Sequence, residues 1–224
     1  MLNSKTLALV IVIGMLARAD APEAQPDFAG INCQKRFSES LLDELVPDKN
    51  SDDVGDKLEA WSQEDLDQLY SCLEAGPIPE GFHRGAVIYP NDGGHKKFLE
   101  FLTKMGIPLN EERVKIIAEA IWKGKEFDTS GDEPMLRNRV LGNLRFPAKV
   151  YKALSILDVR KDSIIIDYAY SEDLGGYVDA LDNIATRNGL AIRDEIRMIR
   201  PGFYLGRAYL DGVFGLNFIL KQAK

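Results

Sequence analysis

Apolar residues recur along this chain with two different periods. From about residue 31 to residue 123 they recur mainly at the spacing of one helix face. From about residue 125 to the end they follow the patterns of strands joined by short links. The change of period predicts an α+β protein, in which a mostly helical N-terminal region (20–124) packs as one globular unit with an antiparallel β region (125–224).

Helix signals are clearest early in the N-terminal region. We expect a short helix over Ser40–Val46, followed by an exposed polar loop over Asp48–Asp56. A second helix is expected to begin after Ser62 and to end at Gly76-Pro77. Ser62 is suited to cap this helix because Asp65 stands three residues further on, close to the capping-box pattern.

The second part of the helical region predicts two further helices and one short strand. The strand is expected over Ala86–Tyr89 and the first of the helices over Lys96–Met105. The other helix begins at Asn110 and carries Trp122 on its apolar face. Gly124 is expected to end this helix.

Six strands are predicted in the β region: Arg139–Phe146, Lys149–Leu157, Ser163–Tyr170, Ile192–Ile199, Phe203–Leu210 and Val213–Leu220. Short links join most of them, which is typical of antiparallel meanders. Residues 171–189 are the exception, and a short helix is expected there over Val178–Ala185.

The last two strands form the sharpest local signal. Asp211-Gly212 between two apolar runs predicts a two-residue type I′ turn. This turn pairs Leu210 with Val213, and an unbroken register then places Arg207 opposite Leu216. Both faces of the hairpin are largely apolar, so the sheet cannot leave one face open to water. We expect it to curl into a barrel packed on the helices; the alternative is the middle layer of a sandwich.

The first 19 residues have the pattern of a secretory signal peptide. Lys5 supplies a positive charge, residues 7–16 are apolar, and Ala17-Arg18-Ala19 is the small-x-small pattern that signal peptidase cleaves. A helix needs about 20 apolar residues to span a bilayer, more than this run offers. An uncleaved anchor and a buried helix are the alternatives. The pattern predicts cleavage after Ala19 and a secreted or periplasmic protein with no stable membrane anchor.

The charge of the predicted mature chain argues against nucleic acid as a partner. The full chain has a formal net charge of −7, and removing Lys5 and Arg18 with residues 1–19 makes it −9. An acidic surface repels phosphate backbones. Anionic membrane surfaces are disfavoured for the same reason.

The two cysteines, Cys33 and Cys72, predict a disulfide. An even count of cysteines in an oxidising compartment favours pairing. Two buried free thiols are the alternative. A metal site is not expected, because a lone pair of cysteines lacks the further ligands that a closed zinc site requires, and nothing in the sequence indicates a cofactor.

Arg207 is the most informative polar residue for a candidate site. The predicted register places it on an apolar face, where a guanidinium needs a partner. Glu195 on the preceding strand is the expected partner, or Asp194 if a bulge shifts the register. Arg207 is then a polar anchor inside a ligand cavity, an internal ion pair that closes the barrel, or a solvated charge on an edge strand.

Aromatic and titratable residues near the predicted strand ends complete the candidate site. The candidate ligand-binding residues are Arg207, Asp194, Glu195, Tyr204, Tyr209 and Tyr168. Asp167 is either a buried acid or base, or a solvated residue at a strand end. His83 and His95 lack the spacing of a metal pair and are expected at the surface or at a cap. No motif of a nucleophile or of a phosphate loop is present.

These patterns support three hypotheses of function. The first is non-enzymatic binding of an apolar or amphipathic small molecule, lipid-like in character, in a β-barrel cavity. Gly206, Ala208 and Gly215 share one predicted face and would permit tight curvature or leave room for this ligand. The second is a hydrolase or isomerase that uses Asp194 or Glu195 with Arg207. The third is a structural or interaction module of the cell envelope.

Overall fold

The computed structural model describes residues 26–28, 30–45, 56–90 and 122–223. Several predicted features lie outside these residues: the signal peptide, the loop over Asp48–Asp56 except its last residue, and the helices expected over Lys96–Met105 and from Asn110. None of the helices formed by the described residues is long and apolar enough to cross a membrane.

The described residues before the first strand form four short helices: α1 (Cys33–Arg36), α2 (Glu39–Leu45), α3 (Asp56–Glu59) and α4 (Gln63–Cys72). α2 and α4 confirm the two helices predicted in this part of the chain. Ser62 caps α4 as expected, since its Oγ accepts a hydrogen bond from the backbone N–H of Asp65 at 3.1 Å and donates to the Asp65 carboxylate at 2.7 Å. α4 ends before the predicted Gly76-Pro77 because Leu73 already has extended backbone.

The predicted disulfide is present and joins the first helix to the last of these four. Cys33 at the start of α1 bonds Cys72 at the end of α4, with 5.5 Å between the Cα atoms and a sequence separation of 39 residues. Closing a loop of this length stabilises a fold by about 3–4 kcal/mol on a chain-entropy estimate. The disulfide therefore fixes α4, the helix that packs on the barrel.

Eight antiparallel strands of the described residues form a closed barrel in chain order, with β1 paired to β8. The strands are β1 (Gly81–Ile88), β2 (Trp122–Asp128), β3 (Met135–Val140), β4 (Asn143–Leu154), β5 (Asp162–Asp167), β6 (Ile192–Arg200), β7 (Phe203–Leu210) and β8 (Val213–Gln222). This confirms the α+β class and the barrel. The short helix predicted near residue 180 is also confirmed, as α5 (Asp179–Asp182) continued by a 3₁₀ turn over Asn183–Ala185.

The two ends of the barrel carry different connections. We call the end with the β3–β4 and β7–β8 turns the upper end; β2 and β6 start there. The opposite, lower end has the β6–β7 turn, and residues 74–78 run across it. The Glu74 carbonyl there accepts a hydrogen bond from the backbone N–H of Met198, and the Pro77 carbonyl accepts one from the Tyr204 hydroxyl.

The predicted end of the helix that carries Trp122 is wrong. Trp122 begins β2, and Gly124 lies inside that strand rather than at a helix end. Gly124 has φ 133°, and a Cβ added to it would lie 2.0 Å from the His83 carbonyl oxygen in β1. Close pairing with β1 and β3 therefore determines the structure here and overrides the helical period.

The boundaries of several other strands also differ from the prediction. The strand predicted over Arg139–Phe146 is two strands, because Leu141 and Gly142 turn the chain with φ of 50° and 77°. β4 then runs on through Pro147 to Leu154. β1 is longer than the expected strand over Ala86–Tyr89 and lies within the region predicted to be mostly helical.

Two apolar clusters lie on opposite sides of the barrel wall. The inner cluster lines the barrel interior and includes Phe127, Leu136, Val150, Ile164, Ile166, Ile196, Tyr204, Phe218 and Leu220. The outer cluster packs helix residues against the outside of the wall and includes Leu66, Leu69, Tyr70, Phe203, Leu205 and Ile219. Alternate residues of one strand therefore belong to different clusters, which is why both faces of the sequence pattern are apolar.

The register of the last hairpin is confirmed next to the turn and wrong beyond it. Leu210 pairs with Val213 and Tyr209 with Phe214 as predicted, but a bulge follows and Ala208 pairs with Leu216. Gly215 is the extra residue. Arg207 consequently stands opposite Asn217 instead of Leu216, because one inserted residue reverses the faces of β8 relative to β7.

Gly206 is a position where any side chain would disrupt the inner cluster. A Cβ added there would lie 2.3 Å from the ring of Phe218. We expect Gly206→Ala to lower the free energy of unfolding by about 1–3 kcal/mol in urea denaturation, since an overpacked core must shift. Gly131→Ala, in an exposed loop with its nearest contact at 3.9 Å, is the control and should change it little. Adding Phe218→Leu should restore part of the loss; equal stability of Gly206→Ala and wild type would contradict this packing.

Candidate functional site

A buried polar centre lies inside the barrel, and we define it as Lys125, Asn138, Tyr168 and Asp194. Lys125 and Asn138 are partners on β2 and β3, Asp194 lies on β6, and Tyr168 directly follows β5. All four are buried, each with 6 % or less of its surface exposed. Polar groups buried in this way are stable only when they are paired.

Lys125 connects the four residues. Its Nζ donates hydrogen bonds to Asp194 Oδ2 at 2.8 Å, to the Tyr168 hydroxyl at 2.7 Å and to Asn138 Oδ1 at 2.9 Å. Its ammonium also lies 5.3–5.5 Å from the ring centroids of three aromatic residues: Trp122, Tyr168 and Phe218. An ion pair and aromatic faces together compensate the loss of water around this cation.

The other polar atoms of the centre bond to one another. Asn138 Nδ2 donates to the Tyr168 hydroxyl at 2.8 Å and to the Phe146 carbonyl at 3.4 Å. The Tyr168 hydroxyl donates to Asp194 Oδ2 at 3.3 Å, and the Trp122 indole N–H donates to Asn138 Oδ1 at 3.0 Å. Trp122 thereby joins the polar centre to the upper end of the barrel.

Electrostatics keep Lys125 and Tyr168 protonated near neutral pH. Burial alone would lower the pKa of Lys125, but attraction to Asp194 and Tyr168 and the hydrogen bonds to them raise it overall. Burial raises the pKa of Tyr168 to about 12; Asp194 adds to the rise and Lys125 opposes it. Neither group is therefore suited to exchange a proton near pH 7, where a general acid or base needs a pKa close to the working pH.

Apolar residues surround the polar centre towards the upper end. The inner cluster is partly accessible there, at Trp122, Phe146, Ile192, Ala208 and Leu216. The ring of Trp122 lies over Gly85, where an added Cβ would approach it to 2.3 Å. Exposed apolar side chains continue this surface onto the turns of the same end: Leu141, Leu144 and Val213.

Phe146 has a strained backbone next to the centre. Its φ is 53°, in the left-handed region that a bulky residue rarely adopts, at the shift of register between β3 and β4. Asp182 of α5 accepts a hydrogen bond from its backbone N–H at 3.1 Å, and Asn138 donates to its carbonyl. Such strain persists only where the surroundings hold it, and it is concentrated at functional sites.

Two of the sequence-predicted site residues belong to this centre, and Tyr204 lies lower in the same interior. Asp194 and Tyr168 are brought together by Lys125, whereas Tyr204 packs in the inner cluster near the lower end. Sequence reasoning missed Lys125 and Asn138. The available signal was alternation, since Lys125 shares the inward face of β2 with Phe127, and Asn138 shares that of β3 with Leu136.

Arg207 is buried, which excludes the solvated charge on an edge strand, but it lies on the outside of the barrel wall. Its ion-pair partner is Asp67 of α4, not Asp194 or Glu195. It also donates to the Tyr209 hydroxyl at 2.9 Å and lies 4.2 Å from the ring centroid of Phe214. The guanidinium therefore belongs to the contact between α4 and the barrel, and the prediction of a cavity anchor paired with Asp194 or Glu195 is wrong.

Glu195 stands opposite Arg207 in the β6–β7 register, as expected, but it has other partners. Its carboxylate accepts hydrogen bonds from Ser155 Oγ at 2.6 Å and from the Ile156 N–H at 2.9 Å. It also forms an ion pair with Arg193 at 2.9 Å. Asp194 and Glu195 are neighbours in sequence, so they point to opposite faces of the wall. Glu195 shares the outer face with Arg207, whereas Asp194 lies inside the barrel, so an arrangement of Asp194 with Arg207 is not assembled.

Arg197 is a further buried cation in the contact with α4, and sequence reasoning did not single it out. It is fully buried and donates to Ser163 Oγ, to the Tyr70 carbonyl and to the Lys161 carbonyl, each at 3.0 Å. Its guanidinium lies 4.8 Å from the Tyr70 ring centroid. The helix is therefore attached to the barrel by polar contacts as well as by apolar packing.

The remaining candidates are not part of the centre. His83 is buried instead of lying at the surface, packed edge-on against Phe127 and Tyr204, and burial lowers its pKa. Asp167 accepts a hydrogen bond from the Tyr151 hydroxyl at 2.9 Å at the end of β5. His95 lies outside the described residues. No group of three or more possible metal-ligating side chains occurs among the residues that the structure describes.

Comparisons with known proteins do not assign the chain to a family. No protein-family model matches it, and no curated protein matches it. One solved structure, described as a protein from Thermomonospora curvata, is similar to it with a TM-score of 0.41 and 15 % sequence identity. The match covers 74 % of this chain and 90 % of that one. A likeness of this degree carries no conclusion about function.

Proposed function

We propose that this chain is an exported, non-enzymatic binding protein for an apolar or amphipathic small molecule, lipid-like in character. The ligand enters the barrel interior from the upper end and places its polar group at the polar centre. The observation that carries the proposal is a balanced ion pair, Lys125–Asp194, below a partly accessible ring of apolar side chains inside a closed barrel. Barrels of this size hold one small ligand or fill their interior with side chains.

Two further observations favour binding over catalysis. The raised pKa values of Lys125 and Tyr168 keep both groups protonated near neutral pH, so neither supplies a base. The strained backbone of Phe146 is held in place by hydrogen bonds from two sides, as expected where a wall of a binding site must be fixed in advance.

Ala208 offers a direct test of the binding site. It faces the interior opposite Asp194, so Ala208→Trp places a large side chain beside the polar centre. We expect wild type to bind the fluorescent apolar probe N-phenyl-1-naphthylamine, and Ala208→Trp to bind it at least roughly tenfold more weakly, a loss of about 1.4 kcal/mol.

The control for this test is Leu154→Trp, which introduces the same side chain at a position 57 % exposed near the lower end. It should leave probe binding unchanged. Circular dichroism and a melting curve check that both variants are folded. Failure of wild type to bind the probe, or equal binding by a folded Ala208→Trp, would count against the proposal and favour a structural or interaction module.

Export is tested on the processed chain. N-terminal sequencing of the protein from the medium or periplasm should begin at Asp20, because the predicted cleavage follows Ala19. The formation of Cys33–Cys72 in an oxidising compartment agrees with this expectation. Recovery of the uncleaved chain from the membrane fraction would show that the segment is an anchor.

A further inference from the structure

The hydrogen-bond donors of the polar centre are all in use. Lys125 donates its three N–H groups to Asn138, Tyr168 and Asp194. Asn138 donates its two amide hydrogens to the Tyr168 hydroxyl and to the Phe146 carbonyl. The Tyr168 hydroxyl donates to Asp194 and the Trp122 indole donates to Asn138. The centre therefore has no donor left for an anionic group of a ligand.

One acceptor remains. Both bonds that Asp194 receives end on Oδ2, and among the described residues no donor lies within range of Oδ1. The Asp194 side chain keeps 7 % of its surface accessible, and Oδ1 is not one of the unpaired atoms that are fully buried. Asp194 stands between Ile166 and Ala208 in the strand register, and Ala208 is one of the partly accessible residues of the upper end. With respect to the described part of the chain, Oδ1 is therefore a carboxylate oxygen with acceptor capacity left beside the partly accessible interior.

Because the centre has an unused acceptor but no unused donor, it discriminates among the polar groups of a ligand. A carboxylate or phosphate finds no free donor and is repelled by Asp194. An ammonium finds the charge of Asp194 already balanced by Lys125, so that one of two buried cations stays unpaired. A neutral hydroxyl adds no charge and donates a hydrogen bond to Oδ1. The hydroxyl hydrogen and Oδ1 then both have a hydrogen-bond partner.

We propose that the ligand is a neutral amphiphile with an apolar body and a hydroxyl group that donates a hydrogen bond to Asp194 Oδ1. This inference rests on the proposed function and narrows it, since it excludes fatty acids and other anionic lipids from the site. The apolar body then contacts the aromatic and aliphatic side chains around the upper end, with Trp122 and Phe146 nearest to the polar centre.

Displacement of N-phenyl-1-naphthylamine by a matched set of ligands tests the inference. Decan-1-ol has a donor, its isomer 1-methoxynonane has the same atoms without a donor, and decanoate and decylammonium carry the two charges. We expect decan-1-ol to bind roughly tenfold or more tightly than each of the other three, which is the effect of one hydrogen bond to a charged group.

A double variant locates the preference at Asp194. In Asp194→Leu with Lys125→Met, the ratio of the affinities for decan-1-ol and 1-methoxynonane should fall to about one. The control Lys149→Met, in an exposed ion pair with Glu133, should keep the wild-type ratio. A double variant that keeps that ratio would place the hydroxyl elsewhere and overturn the inference.

The wild-type measurement decides the question even if the double variant does not fold. If 1-methoxynonane or decanoate binds as tightly as decan-1-ol, the hydroxyl inference is wrong while the proposed function stands. If none of the four ligands nor the probe binds, the proposed function fails and the inference fails with it.

Discussion

Lys125→Met is expected to destabilise the protein severely. Asp194 would lose the cation that balances it inside the barrel, where the two side chains are 7 % and 4 % exposed, and Tyr168 and Asn138 would lose a donor. Breaking a buried ion pair from one side costs about 3–5 kcal/mol. The midpoint of urea unfolding, with the slope held constant, measures this loss.

Two matched variants distinguish the stability effect of breaking a buried ion pair from the effect of removing a charge. Adding Asp194→Asn to Lys125→Met removes the stranded carboxylate and should recover part of the stability. Lys149→Met removes a cation of the same type from the pair with Glu133, whose side chains are 34 % and 73 % exposed, and should cost about 0–1 kcal/mol. Equal effects of Lys125→Met and Lys149→Met would contradict the buried polar centre.

The second large effect is expected at Arg207, on the other side of the barrel wall. Arg207→Ala removes the ion pair with Asp67 and the contact with the Phe214 ring. The Asp67 side chain is 18 % exposed, so water relieves part of the unpaired charge. We expect a loss of about 2–4 kcal/mol in urea unfolding, towards the lower part of the range for buried pairs. Arg207→Met should be little better, because Asp67 still loses its partner.

A double-mutant cycle identifies the partner of Arg207. Asp67→Asn combined with Arg207→Met should cost less than the sum of the two single variants, because the pair is removed together. Glu195→Gln combined with Arg207→Met should show a smaller coupling energy, since Glu195 is opposite Arg207 in the register but bonds to Ser155, Ile156 and Arg193. A coupling energy that is larger with Glu195 than with Asp67 would mean that α4 does not cover this part of the wall.

Features that depend on a few neighbouring residues were predictable from the sequence. The cap at Ser62 follows from its spacing to Asp65, and the turn at Asp211-Gly212 follows from the need for two positive φ angles, observed at 49° and 78°. The pairing of Cys33 with Cys72 needed only their number and the predicted compartment. Two apolar faces in the last hairpin predicted a closed barrel covered on the outside, because neither face tolerates water.

Features that depend on pairing between distant strands were not predictable in detail. The bulge at Gly215 places Arg207 and Asn217 opposite each other and turns Phe218 inwards over Gly206. No local sequence pattern specifies the position of this bulge. Lys125 stands between Gly124 and Glu126, and no local pattern marks it as a buried residue. Only the fold places its ammonium between Asp194 and three aromatic rings.

Native mass spectrometry of the protein purified from its own compartment detects a ligand inside the barrel. We expect wild type to carry a co-purified small molecule that is uncharged and lipid-like, and we expect folded Ala208→Trp from the same source to lack it while Leu154→Trp retains it. A wild-type protein whose mass equals that of the processed chain alone, or a bound molecule that Ala208→Trp retains, would contradict binding inside the barrel.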